Sequence, residues 1–132
     1  VMEAALGIRK KIDIFGNDYL TKDGTGVRDY IHVTDLASAH LDTIDYIKRE
    51  KKDLIINLGT GGGYSVLDVV NKVQEICNVS IKYDFGNRRS GDSDIVVANP
   101  ELARELLSWE AKYSDLDTII KSTWSVYKST NS

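Results

Sequence analysis

The stretch Asn57-Leu58-Gly59-Thr60-Gly61-Gly62-Gly63-Tyr64-Ser65 constrains the fold most, because it sets four glycines between an apolar run and a helical pattern. Leu54-Ile55-Ile56 before it reads as a buried strand. After it, Val66, Val69, Val70 and Val73 recur on one helical face. Glycines so placed predict a turn whose backbone comes close to something. Two readings compete. A dinucleotide fingerprint, G-x-G-x-x-G, frees a helix N-terminus to hold a pyrophosphate. Gly59 and Gly61 fit its first two positions, but Tyr64 stands at the third. In the plainer reading Ser65 is the N-cap of the helix and Asp68, three residues on, its reciprocal partner. The spacing favours the cap.

The rest of the chain alternates strand and helix signals, which predicts an α/β fold. A helix is expected over residues 1–11, then a strand at Ile12-Asp13-Ile14-Phe15. Gly16 to Gly26 is a polar loop, long enough to be either mobile or engaged with a ligand. Val27 to Val33 reads as the next strand, with Arg28, Tyr30 and His32 sharing one face. Thr34 or Asp35 is expected to cap a helix running to about Lys52, with Leu36, Ala39, His40, Thr43, Ile44 and Ile47 as its buried stripe. Ile81 to Phe85 alternates as a strand, and Ile95 to Ala98 reads as a brief one. Asn99-Pro100 starts a helix as N-cap and first helical residue, carrying Leu102, Leu106 and Leu107. Ser114 is expected to cap a last helix with Leu116, Ile119, Ile120, Thr123 and Tyr127 inward, and residues 129–132 to fray.

At 132 residues, 42% hydrophobic and 28% charged, the composition is that of one ordinary globular domain. A net charge of −3 supplies no basic field, so nucleic acid is not expected as a partner. The single Cys77 excludes an internal disulfide and fits a reducing, cytoplasmic setting, packed in its helix. No apolar run is long enough for a membrane span. The helix expected at Val1 has no start signal before it, so the chain reads as cut from something longer.

Few residues stand out chemically. Arg28 follows one glycine-rich loop, and Arg88-Arg89 lie beside Asp92 in another. Guanidiniums converging from separate loops suit a diphosphate, and a carboxylate suits ribose hydroxyls. On the residues alone the plainer reading is favoured, Arg28–Asp29 and Arg89–Asp92 as surface ion pairs, each worth under about 1 kcal/mol. His32 and His40 have no third ligand at metal spacing and read as packing or hydrogen-bonding residues; no metal site is expected. There is no G-x-S-x-G nucleophile motif.

Three segments carry a resemblance: Phe15-Gly16-Asn17-Asp18-Tyr19 through Asp23-Gly24-Thr25-Gly26-Val27-Arg28-Asp29-Tyr30-Ile31-His32-Val33-Thr34-Asp35-Leu36-Ala37; Asn57 to Val66; and Arg88-Arg89-Ser90-Gly91-Asp92, with Ala98 and Leu106 to Trp109 after it. In order and spacing the chain resembles, over essentially its whole length, the C-terminal part of the UDP-glucose 4-epimerase family. That family is a branch of the extended short-chain dehydrogenase/reductases. The resemblance implies that residues 1–132 are one substrate-binding portion whose N-terminal NAD-binding Rossmann domain is absent. It implies a parent isomerase that interconverts UDP-galactose and UDP-glucose through a 4-keto sugar, using NAD. None of the seven tyrosines has the Lys four positions later that a catalytic Tyr-x-x-x-Lys pair needs. No catalytic residue and no cofactor is therefore expected in this chain, which alone should be inactive.

By motif, the resemblance puts Phe15 against the uracil, Arg28 and Arg89 on the diphosphate, and Asp92 on the ribose hydroxyls. Tyr30 and Val66 line the same region. Val96 stands where some relatives carry a bulky Tyr in the sugar pocket, which implies room for a 2-acetamido group. The glycine turn becomes a substrate-side turn, Val27 to Leu58 a face that packs on the NAD domain, and the parent a homodimer. Two other readings fit less well: a nucleotide-sugar dehydratase or decarboxylase of the same family, and a stand-alone nucleotide-sugar-binding domain.

Overall fold

The computed structural model describes residues 1–130 and shows two small sheets with helices packed on them. β1 (Ile12–Phe15) pairs in parallel with β4 (Tyr83–Gly86), Ile12 opposite Tyr83 and Phe15 opposite Gly86. β2 (Val27–Arg28) is the centre of the second sheet. It runs antiparallel to β3 (Tyr64–Ser65) and parallel to β5 (Ile95–Val96), so that Arg28 is flanked by Tyr64 and Val96. Helices α1 (Met2–Ala5), α2 (Val33–Glu50), α3 (Val66–Cys77), α4 (Glu101–Leu107) and α5 (Leu116–Thr130) complete the mixed α/β architecture.

The main core follows from periodicity. Alternation in β1 turns Ile12 and Ile14 inward, where they meet Val70 and Val73 of α3, Ile81, and Leu116 and Ile120 of α5. Helix α3 starts as its sequence predicts: the Ser65 hydroxyl accepts from the Asp68 amide at 3.0 Å, and the Asp68 carboxylate accepts from the Ser65 amide at 2.9 Å. The glycine turn also has its cause within the chain. A Cβ on Gly59 would lie 2.4 Å from an Asp29 carboxylate oxygen and 2.6 Å from the Ala98 methyl; one on Gly63 would meet Val27 at 2.6 Å. What the backbone approaches is its own neighbours.

Several elements differ from expectation, each for a long-range reason. The first helix stops at Ala5, because the amides of Ile8 and Arg9 both turn back to the Glu3 carbonyl. The strand expected to reach Val33 ends at Arg28, where the Asp29 carboxylate reaches out of the sheet to the Thr60 and Gly61 amides and the Ala98 amide. His32, not Thr34 or Asp35, caps α2: its Nδ1 accepts from the Thr34 amide at 3.1 Å, and its own amide donates to the Ser114 hydroxyl at 2.9 Å. Asp35 is instead buried. It accepts from the Lys112 amide at 3.0 Å, the Tyr113 amide at 2.8 Å and the Ser114 hydroxyl at 2.6 Å. Ser114 is thereby used up, and Asp115 caps α5 by accepting from the Thr118 amide at 2.9 Å.

Pro100, expected as the first helical residue, is instead the N-cap of α4, so the helix starts one place later than expected, while the Asn99 side chain accepts from the Glu101 amide at 2.9 Å. Its Ala103, rather than Leu102, is buried, against Ala39 and Trp109. Helix α5 continues through Ser129 and Thr130, where fraying was expected; Asn131 and Ser132 lie outside the described residues. Leu54-Ile55-Ile56 forms no strand, and Ile55 is 93% exposed. A strand exists through its ladder, and neither sheet of this chain runs beside this segment. The stripe of α2 is equally incomplete: Ala39 is buried, but His40, Ile44 and Ile47 are exposed.

Candidate functional site

One cavity of about 250 Å³ opens at the end of β1, between the two sheets. Its wall is Asp13, Ile14 and Phe15 of β1, Tyr19 and Gly26 of the following loop, Arg28 of β2, Val66 of α3, and Arg89 and Asp92 of the loop after β4. Five residues singled out in the sequence, Phe15, Arg28, Val66, Arg89 and Asp92, therefore meet around one space although they span 77 positions of the chain (92 − 15). Tyr30 and Val96 lie outside that wall. Tyr30 is half-buried, and burial pushes its phenol up while the nearby Arg28 charge opposes this. Val96 is the register partner of Arg28 on β5, with its side chain half exposed.

Each polar group is held by a definable device. Arg28 donates from Nη1 to the Val27 carbonyl at 2.8 Å, which leaves Nη2 3.7 Å from Asp92. Arg28 thus faces Asp92 and not its sequence neighbour Asp29, whose carboxylate is engaged by the glycine turn. The Arg89 guanidinium carbon lies 3.9 Å from the centroid of the Phe15 ring, a cation–π geometry at the cavity mouth. Arg88 points the other way. It binds Asp18 at 2.7 Å and Asp94 at 3.3 Å, stacks 4.0 Å over the Tyr19 ring, and reaches the Asp18 carbonyl. The hydrogen bond with Asp18 pushes the Arg88 guanidinium up and the Asp18 carboxyl down.

The loop of residues 16–26 is fastened rather than loose. Tyr19 donates its amide to the Gly24 carbonyl at 3.0 Å, and the Thr21 hydroxyl donates to the Thr25 carbonyl at 2.7 Å. Asp23 accepts from the Thr25 amide at 2.9 Å and hydroxyl at 2.7 Å, and from the Ser65 hydroxyl. Burial pushes the Asp23 carboxyl up, but these donors outweigh it and hold it below the usual range. In this way the cap of α3 and the approach to Arg28 share one half-buried carboxylate.

Chemically the cavity is built for grip. Two guanidiniums can engage an anion, a carboxylate can accept from hydroxyls, and the Phe15 ring offers a flat apolar face. No hydroxyl in its wall is hydrogen-bonded to a base: the Tyr19 hydroxyl has no partner. The glycine turn does not fit a pyrophosphate cradle, because the Thr60 and Gly61 amides are taken by Asp29, at 3.1 and 3.3 Å, and the Gly62 amide by the Thr60 hydroxyl. Among the described residues no group of three or more His, Cys, Asp or Glu could hold a metal ion, and no helix is long and apolar enough to cross a membrane. Asp13 and Tyr19 were not singled out from the sequence. Alternation in β1 puts Asp13 on the Phe15 face, but nothing local distinguishes Tyr19 within a polar loop.

Comparison with known proteins agrees with this architecture. The family model described as GDP-mannose 4,6 dehydratase matches residues 1–123. The human UDP-glucose 4-epimerase is 45% identical over 124 residues, which is 94% of this chain and 35% of that protein. The solved UDP-glucose 4-epimerase of Stenotrophomonas maltophila, with bound NAD and formylated UDP-arabinopyranose, superposes with a TM-score of 0.95 at 36% identity, covering 99% of this chain and 39% of that one. The UDP-Glc/GlcNAc 4-epimerase of Campylobacter jejuni gives a TM-score of 0.86 at 42% identity, covering 97% and 39%. The chain thus spans little more than a third of the length of these relatives. With its match over nearly all of its length and the Rossmann-type extended short-chain dehydrogenase/reductase fold of its structural neighbours, the chain belongs to the family of the GDP-mannose 4,6 dehydratase model and is similar to part of UDP-glucose 4-epimerases.

Proposed function

We propose that this chain is the C-terminal, UDP-sugar-binding part of an NAD-dependent UDP-glucose 4-epimerase, which interconverts UDP-galactose and UDP-glucose in cytoplasmic galactose metabolism. The observation that carries this reading is the convergence of Phe15, Arg28, and Arg89 with Asp92 on one cavity from three separate segments. In the proposed reaction NAD takes up and returns the hydride of the sugar's C4, and the residues that bind NAD belong to the part of the enzyme outside this chain. Here the work is to hold. Arg28 and Arg89 grip the diphosphate, Asp92 accepts from the ribose hydroxyls, Phe15 lies against the uracil, and Tyr30 and Val66 support that region. A sugar that must present both faces to the same hydride carrier needs its handle fixed, so binding energy is concentrated on the non-reacting UDP.

The exposed apolar residues of α2 and of residues 54–56 support a second element of the reading, an N-terminal NAD domain seated on that face. Val33, Leu41, Ile44, Ile47 and Ile55 are exposed there, and contiguous apolar area of this kind is normally covered. We further infer a homodimeric parent, and a sugar pocket which Val96 leaves open to an N-acetyl group. Titration of the chain with UDP, followed by amide shifts, tests the reading. Shifts gathered at Arg28, Arg89 and Asp92 are expected; silence at millimolar UDP would overturn it for this chain. For Val96, the same shifts with UDP-GlcNAc are expected to extend to β5, and shifts that stop at the UDP moiety would sink the N-acetyl inference.

A further inference from the structure

Arg89 and Asp92 are the first and last residues of one turn, closed by the Asp92 amide donating to the Arg89 carbonyl at 3.3 Å, with Gly91 in the left-handed region at φ +84. Among the described residues, the polar and ring contacts of the turn's side chains with the rest of the chain are the Arg89–Phe15 stacking at 3.9 Å and the Asp92–Arg28 pair at 3.7 Å. The flanks are held more firmly. Arg88, just before the turn, and Asp94, two residues after it, pair with one another at 3.3 Å and so close its base. The Asp94 carboxylate also accepts from the Leu20 amide at 2.8 Å, and the Asp94 carbonyl from the Val27 amide at 2.8 Å. Arg88 binds the Asp18 carboxylate at 2.7 Å and the Asp18 carbonyl, and its stem lies against Gly16, where a Cβ would stand 2.9 Å from Cγ of Arg88. One planar guanidinium thus ties the turn to the loop of residues 16–26, beside Phe15 at the end of β1.

We propose that Arg88, through its pair with Asp94, is a positioning residue for nucleoside diphosphate binding: it presents Arg89 and Asp92 together at the cavity while lying outside the cavity wall itself. The inference rests on the UDP-binding reading above and extends it to two residues which that reading does not use. Side chains ordered before the ligand arrives spare it the entropy of ordering them. The neighbouring arginines then divide the work, Arg89 touching the ligand and Arg88 holding Arg89 in place.

Arg88→Met keeps a stem against Gly16 and the Tyr19 ring but removes the guanidinium, and Asp94→Ala removes the other half of the pair together with a negative charge. UDP is titrated into wild type, both variants, the double variant and Arg89→Ala, well below the lowest unliganded melting temperature. Each single variant should weaken UDP about threefold to tenfold, the cost of ordering one or two side chains on binding. The double variant should lose no more than the worse single, because both act through one pair. The unliganded melting temperature should change little, since these ion pairs are partly exposed. Charge alone gives the opposite sign for Asp94→Ala, as losing a carboxylate favours a diphosphate; tighter binding there overturns the proposal, and so does an additive loss in the double variant. Unchanged affinity in both single variants beside a loss in Arg89→Ala overturns the positioning role and leaves the clamp standing; a lower melting temperature with that unchanged affinity makes Arg88 structural only. No loss in Arg89→Ala, or no UDP binding by wild type, overturns the UDP-binding reading and this inference with it.

Discussion

The two halves of the molecule use similar apolar residues to different ends. Around β1, β4, α3 and α5 the chain closes a core by itself: Ile14, Val70, Val73 and Ile120 are each at most 2% exposed. Around α2, α4 and residues 54–58 the second cluster is small, with only Ala39, Ala103 and Trp109 buried, and it leaves Ile44, Ile47 and Ile55 on the surface. What holds this second half is polar. Trp109 donates its indole N–H to the Asp35 carbonyl at 3.1 Å and to the Ser38 hydroxyl at 2.9 Å, while the Asp35 carboxylate gathers Lys112, Tyr113 and Ser114. The cavity lined by Phe15, Arg28, Arg89 and Asp92 sits at the edge of the half that finishes its own packing. A binding site gains from that, since its walls do not depend on what covers the other face.

Truncation should separate the halves most clearly. Ile14→Ala removes a side chain from the closed core and should cost about 2–5 kcal/mol in denaturant unfolding, a large part of a small domain's stability. A loss under 1 kcal/mol would mean that the core is looser than its burial indicates.

Asp35 comes next. In Asp35→Asn an amide N–H₂ faces donors, so buried groups lose their acceptor, at about 2–3 kcal/mol near neutral pH. The acid dependence has a definite sign. Burial pushes the Asp35 carboxyl up, but the Ser114 hydroxyl and the Lys112 and Tyr113 amides outweigh it and hold the folded value low. Stability from this carboxylate is therefore complete above its unfolded value of about 4, and drains away as pH falls from there through the folded value. Wild type should lose stability over that window more steeply than Asp35→Asn; parallel acid profiles would remove Asp35 from the account.

The smallest effect on stability belongs to the open face. Ile55→Ser should change unfolding by no more than about 0.5 kcal/mol, because the side chain is already in water. It should nonetheless lower self-association of the chain in sedimentation, since exposed apolar area drives it. Identical sedimentation of variant and wild type as monomers would show that this face is not adhesive.

How much of this was legible beforehand depended on range. The reciprocal Ser65–Asp68 cap is a signal contained in four residues, and it appears as read. The inward faces of β1 and α3 are equally local, since period 2 and period 3.6 follow from backbone geometry. The caps of α2 and α5 were misassigned because distant partners settled them: the Ser114 hydroxyl, expected to cap α5, went to Asp35, 79 positions away. The apolar run at Leu54-Ile55-Ile56 failed for a related reason, as strand-like composition cannot supply a neighbouring strand.

The sequence by itself determined which residues of β1 and α3 turn inward and the Ser65–Asp68 cap, because each rests on residues within a few positions of one another. Tertiary structure alone decided which charges belong together. Arg88 and Arg89 are adjacent in the chain, yet one is bound into the Asp18–Asp94 scaffold and the other lies on Phe15 at the cavity mouth. Arg28 likewise faces Asp92 across the sheet while its neighbour Asp29 fastens the glycine turn. The physical reason is the reach of long side chains. A guanidinium takes its partner from whatever the fold brings within a few ångströms, and position along the chain carries little information about that.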